Sequence, residues 1–135
     1  MMLSCLADAD HTDTAVFYSQ APDREEIPQL RANERLAALD QYVLTLGSNG
    51  IRSRLRREMY LTCRDAITTG NFTACDSPVG SGKTTAVMAH LLKQAACRKA
   101  RRVFVILPYT SIIQQSVDVY RKALVLPGEN PESVV

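Results

Sequence analysis

Ser77-Pro78-Val79-Gly80-Ser81-Gly82-Lys83-Thr84-Thr85 is the stretch on which the reading of this 135-residue chain turns. The phosphate-loop pattern runs Gly, four arbitrary residues, then Gly-Lys-Ser/Thr. Ser77 stands where the pattern has its first glycine, and the rest, Gly80-Ser81-Gly82-Lys83-Thr84, is intact. Glycines at 80 and 82 let the backbone curl until successive N–H groups point at one anion. A helix starting at Lys83 adds the positive end of its dipole. In such a loop the lysine reaches the β- and γ-phosphates and the following hydroxyl binds Mg²⁺. Lys83 and Thr84 are therefore the candidate catalytic residues, with ATP and Mg²⁺ the expected cofactors. Pro78, Val79, Gly80, Ser81, Gly82, Lys83, Thr84 and Thr85 form the candidate nucleotide site. The competing reading, a glycine-rich turn that happens to contain Lys-Thr, fits the flanking pattern less well.

Working outward, residues 72–76 (FTACD) are short and partly apolar, which predicts a buried strand ahead of the loop. Residues 83–97 are rich in Ala and Leu and predict a helix. Arg98, Lys99, Arg101 and Arg102 follow it, cations suited to the negative end of a helix dipole. Residues 103–107 (VFVIL) read as the clearest strand, ended by Pro108. Thr110 or Ser111 is placed to cap a helix running to about Lys122, and residues 126–135 read as loop. Upstream, Ile51, Leu55, Met59, Cys63 and Ile67 step by four along a predicted helix over 51–68, with arginines at 52, 54, 56, 57 and 64. Leu36, Leu39, Val43 and Leu46 form one stripe of a helix over 29–46. Gly47 suits a left-handed cap for it. Residues 3–18 read as the end of a helix and 19–28 as a loop.

The order strand, loop, helix, strand, helix is a βαβ unit. The expected fold class is α/β, a partial P-loop domain with parallel strands and a right-handed crossover, preceded by helices. Two parallel strands leave both faces and both edges uncovered. Either the chain is incomplete as a folding unit, or the strands are short and the protein is mostly helical.

Composition bounds the answer. Apolar residues make up 46% and charged residues 22%, a globular balance. No apolar run approaches the ~18–20 residues of a membrane helix, and the opening MMLSCLADADHT lacks the basic n-region of a secretory signal. A soluble cytoplasmic protein is expected. The four cysteines, Cys5, Cys63, Cys75 and Cys97, have no C-x-x-C spacing and read as small buried hydrophobes. Charge is uneven: residues 1–48 carry three Arg against eight Asp or Glu, whereas 49–102 carry eleven Lys or Arg against three. The positive middle surrounds the phosphate loop and suits a polyanion. Arg52, Arg54, Arg56 and Arg57 either touch phosphates or are simply solvated, and the charge run alone favours solvation. After Lys83 the acids are Asp118, Glu129 and Glu132, none of them an acidic pair closing an apolar strand. Phosphoryl transfer needs such a group for metal and water, so weak or absent ATP hydrolysis is expected of these residues alone.

Three segments together resemble the first RecA-like domain of superfamily 2 helicases, and within them the CRISPR-associated helicase–nuclease of type I systems. S-R-L-R-R-E-M (53–59) resembles that family's helix ahead of the loop. D-S-P-V-G-S-G-K-T-T (76–85) resembles its motif I, and V-F-V-I-L-P-Y-T-S-I-I-Q-Q-S (103–116) its motif Ia. Ser77 and Val79 depart from the residues usual there. The resemblance implies that Pro108, Tyr109, Thr110, Ser111 and Gln114 lie against single-stranded DNA, whereas the residues alone favour a plain helix cap by Thr110 or Ser111. It also implies that residues 1–20 are the tail of an HD-type nuclease domain. Within L-A-D-A-D-H-T-D-T (6–14), Asp10 would then match a ligand of a divalent transition metal, with Asp8 the weaker candidate. Residues 21–48 become a linker and helix, and 49–135 the N-terminal part of the first helicase domain. The implied activity is ATP-driven translocation on DNA, with an RNA-guided surveillance complex as partner. Another superfamily 2 helicase, another P-loop ATPase, or a non-catalytic gene remnant are the alternatives.

Overall fold

The computed structural model describes residues 29–47 and 50–134. The expected helix over 3–18, the loop to 28, Asp8, Asp10 and Cys5 lie outside these described residues.

Four α-helices carry the architecture: α1 Ala32–Thr45, α2 Ile51–Asp65, α3 Lys83–Arg98 and α4 Thr110–Leu124. A short 3-10 turn, Pro131–Ser133, follows them. α3 lies at the centre, packed against both α1 and α2, and α4 packs against α1 and the 3-10 turn. Leu39 of α1 meets Tyr60 of α2, Ala86, Met88, Ala89 and Leu92 of α3, and Tyr120, Ala123 and Leu124 of α4 in one apolar cluster. The alanines on α3 let its neighbours approach closely, because interaxial distance follows the side chains at the contact.

Polar bonds fix how the helices meet. The Tyr60 hydroxyl donates to Asp40 Oδ1 at 2.7 Å. Arg64 Nη1 donates to both Asp40 oxygens at 3.0 and 3.1 Å, tying α2 to α1. Lys93 Nζ reaches Asp65 at 2.7 Å, tying α3 to α2. Burial, then the bond to Asp40, pushes the Tyr60 phenol above its ordinary value. Hydrogen bonds from Arg64 and then Lys93 hold Asp65 down at about 2.

A buried charge closes the other side. Arg35, 7% exposed, donates Nε to Leu30 O at 2.9 Å and Nη1 to Leu124 O at 2.8 Å. The same guanidinium bonds Glu129 through Nη1 at 2.9 Å and Nη2 at 3.2 Å. Glu129 also accepts the Leu126 N–H at 3.2 Å and joins Arg31. A buried cation is tolerated when its donors are met in this way.

The expected α/β layer, a partial RecA-like parallel βαβ unit, is corrected: among the described residues no strand is paired. Residues 72–76 and 103–107 run as unpaired segments. Phe72 is 98% and Ile106 92% exposed. Two isolated segments would leave every ladder edge open and both faces wet, whereas the helices satisfy their own backbone and share one core. The mostly helical alternative describes this arrangement. Three smaller expectations also change. α1 ends at Leu46 in right-handed geometry, and the left-handed glycines are Gly80, Gly82 and Gly128, not Gly47. α4 starts after Tyr109 with no side-chain cap, since Thr110 is already its first helical residue. Cys63 is half-buried and Cys75 and Cys97 are exposed, so these three are not core residues. No described helix is long and apolar enough to cross a membrane.

Candidate nucleotide site

The loop between residue 76 and α3 is shaped by two glycines. Gly80 has φ 79° and Gly82 φ 87°, the left-handed region that L side chains avoid. A Cβ at Gly80 would meet nothing within 4 Å, and at Gly82 its nearest neighbour is Thr85 Oγ1 at 3.9 Å. Backbone geometry, not space, therefore demands glycine at both positions. Pro78 to Ser81 form a turn, with the Ser81 N–H on Pro78 O at 3.4 Å. Gly82 is the N-cap of α3, so the helix N-terminus opens directly onto the loop.

The loop's polar groups hold one another. Lys83 Nζ donates to Ser77 O at 2.5 Å. The Ser77 and Ser81 hydroxyls are paired at 2.5 Å, so Ser77, the residue that departs from the glycine pattern, has a defined contact. Thr85 Oγ1 donates to Gly82 O at 3.0 Å, and Thr84 is exposed on the first turn of α3.

A cleft of about 970 Å³ spreads from this loop. Val79, Gly80, Gly82, Lys83, Thr84 and Thr85 line one side, and Ser53, Arg54, Arg56, Arg57, Tyr60 and Arg64 of α2 line the other. The end of α1, including Tyr42, Val43 and Leu46, supplies an apolar wall. Its volume suits a nucleotide-sized ligand. Arg56 crosses the cleft edge and donates Nε to Gly80 O at 2.9 Å. Arg54, Arg56 and Arg57 thus line the cleft while remaining exposed, so the charge run is solvated and also borders the site. Arg52 is exposed and is not part of the lining. The donors fit a nucleoside triphosphate with Mg²⁺: a cation, a helix N-terminus and a threonine hydroxyl converge there.

The second set of expected residues sits elsewhere. Pro108, Tyr109, Thr110, Ser111 and Gln114 are exposed around the start of α4, and none lines the cleft. Gln114 Nε2 donates to Asp118 Oδ1 at 3.2 Å. None of Asp118, Glu129 and Glu132 lines the cleft either. Its one lining carboxylate, Asp40, is engaged by Tyr60 and Arg64. Among the described residues no three His, Cys, Asp or Glu side chains gather as a metal site.

Compared with known families, residues 59–130 match the profile described as DEAD/DEAH box helicase, which is more than half of the chain. No curated protein and no solved structure gives a match.

Proposed function

We infer, since the chain belongs to the DEAD/DEAH box helicase family, that the Ser77–Thr85 loop is the ATP·Mg²⁺-binding element of an ATP-dependent helicase. The observation that carries this is the pair of left-handed glycines, Gly80 and Gly82, set directly before the N-terminus of α3 with Lys83 as its first residue. Magnesium and the triphosphate supply charge and chemistry when bound. The chain's own part is to bind and orient: Lys83 Nζ, now on Ser77 O, would hold a phosphate oxygen, the N-terminal amides of α3 would face the anion, and the Thr84 hydroxyl would hold the metal.

The finer reading is a translocase on single-stranded DNA allied to the CRISPR-associated helicase–nuclease. It is supported by resemblance at residues 53–59, 76–85 and 103–116. In that reading Pro108, Tyr109, Thr110, Ser111 and Gln114 contact DNA, residues 1–20 are a nuclease tail with Asp10 as a transition-metal ligand, and a surveillance complex is the partner. The exposure of the α4 start leaves those five residues accessible to a strand.

The first test is binding of a fluorescent ATP analogue. Lys83→Ala is expected to abolish it while helical circular dichroism stays unchanged. Equal binding by wild type and K83A would falsify the assignment of the loop.

A further inference from the structure

The bond between Arg56 and the phosphate loop is not explained by the loop motif itself. Arg56 lies on α2, 24 residues ahead of Gly80, yet its Nε meets the Gly80 carbonyl at 2.9 Å. We propose that Arg56 is a positioning residue for the phosphate loop: it fixes the peptide between Gly80 and Ser81, and through it the loop's readiness to take a nucleoside triphosphate. This rests on the nucleotide reading of the loop given above.

The argument is geometric. In a planar trans peptide the C=O and the next N–H point in opposite directions. Holding the Gly80 oxygen therefore sets the direction of the Ser81 N–H. Gly80 has positive φ and nothing near its missing Cβ, so side-chain packing does not fix this peptide; two hydrogen bonds hold it, a long one from the Ser81 N–H to Pro78 O at 3.4 Å and the shorter one from Arg56 at 2.9 Å. A mobile peptide here can swing its carbonyl toward the phosphates, where it would repel them. The guanidinium supplies the stronger restraint from outside the loop through one directed donor, its Nε–H, whose position in the rigid planar group is fixed. Arg54 and Arg57 line the same cleft, so the wall that restrains the loop is also cationic. Arg56 acts through a neutral carbonyl, which separates its role from theirs: a positioning bond is insensitive to salt, whereas a charge acting on phosphate is screened.

The test uses the full chain and a fluorescent ATP analogue, with Arg56→Ala, Arg56→Lys, Arg52→Ala and Lys83→Ala compared with wild type. Arg52 shares the helix and the charge but does not line the cleft. The expected result for R56A is a loss of about tenfold in affinity, the scale of one charge-assisted hydrogen bond discounted for exposure. R56K, which keeps the charge and loses the directed Nε–H donor, is expected to lose nearly as much, and the ratio to wild type holds at low and high salt. R52A stays within about twofold of wild type, as surface changes do. The proposal is overturned if R56A matches R52A, if R56K restores wild-type affinity, or if the R56A defect vanishes in high salt. If R56A is poorly folded by circular dichroism, R56K alone decides between these outcomes. K83A reports separately on the loop: binding by K83A equal to wild type sinks the nucleotide reading and not merely the role of Arg56.

Discussion

Arg35 shows what one residue contributes when its donors are all directed. Its guanidinium takes two backbone carbonyls and both oxygens of Glu129 while nearly out of solvent. Removing the carboxylate leaves a buried cation with half its partners. Breaking such a pair costs roughly 3–5 kcal/mol in full burial, and the two remaining carbonyls reduce that to about 2 kcal/mol for Glu129→Gln. Urea unfolding at neutral pH measures it. The pH dependence has a definite sign. Burial would raise the Glu129 carboxyl, but the Leu126 N–H and Arg35 outweigh it and hold the group below its ordinary 4.5. A depressed carboxyl stabilises the fold above that ordinary value and loses its contribution as pH falls through the folded value. The stability gap between wild type and E129Q should therefore be constant near neutrality and shrink below about pH 4.5. A gap that widened in acid would contradict the assignment. Nothing in the local sequence marks Arg35, since Glu129 is 94 positions away. Gly80 and Gly82 were legible because a turn's backbone demand is written within a few residues of itself.

Among the helices, α3 carries the most packing. Leu92 is 1% exposed at the centre of the cluster. Leu92→Ala is expected to cost about 3 kcal/mol, the middle of the range for a fully buried leucine. Leu55→Ala, on the exposed side of α2, should change stability by less than about 0.5 kcal/mol. Denaturant midpoints of the two variants compare these directly. The contrast also shows where periodicity misleads. The i+4 row Ile51, Leu55, Met59, Cys63, Ile67 reads as one face, but each step of four overshoots a turn by about 40°, so a long row winds around the helix. Met59 and Cys63 are half-buried, Ile51, Leu55 and Ile67 are exposed, and Tyr60, off the row, is the buried residue. All four described helices were legible to within a few residues, because a helix is specified by neighbours along the chain. The strands were not. The run 103–107 has strand composition, but a strand exists only when a distant segment pairs with it, and five residues cannot encode that partner.

Across the described residues, Val103 of the unpaired segments packs against the core, but most of their large apolar side chains stay at the surface. Phe72, Phe104 and Ile106, with Val79 of the phosphate loop, are all exposed, a distribution that favours self-association. The double change Phe104→Ser with Ile106→Ser should lower light scattering at high protein concentration and leave the unfolding midpoint within the ±0.5 kcal/mol or so typical of surface changes. A large loss of stability would mean that these side chains are packed after all. The same scale shows how the two candidate surfaces are joined. The phosphate loop feeds α3, the proposed DNA contacts open α4, and both helices pack on α1. In mechanical terms α1 is a shared axle. It is tied to the end of α4 through Arg35, which bonds Leu124 O and Glu129, and to α2 through Asp40, which takes Tyr60 and Arg64. If a strand is held at the start of α4, its load and the nucleotide's grip on the phosphate loop bear on the same helix, so the two sites share one mechanical support.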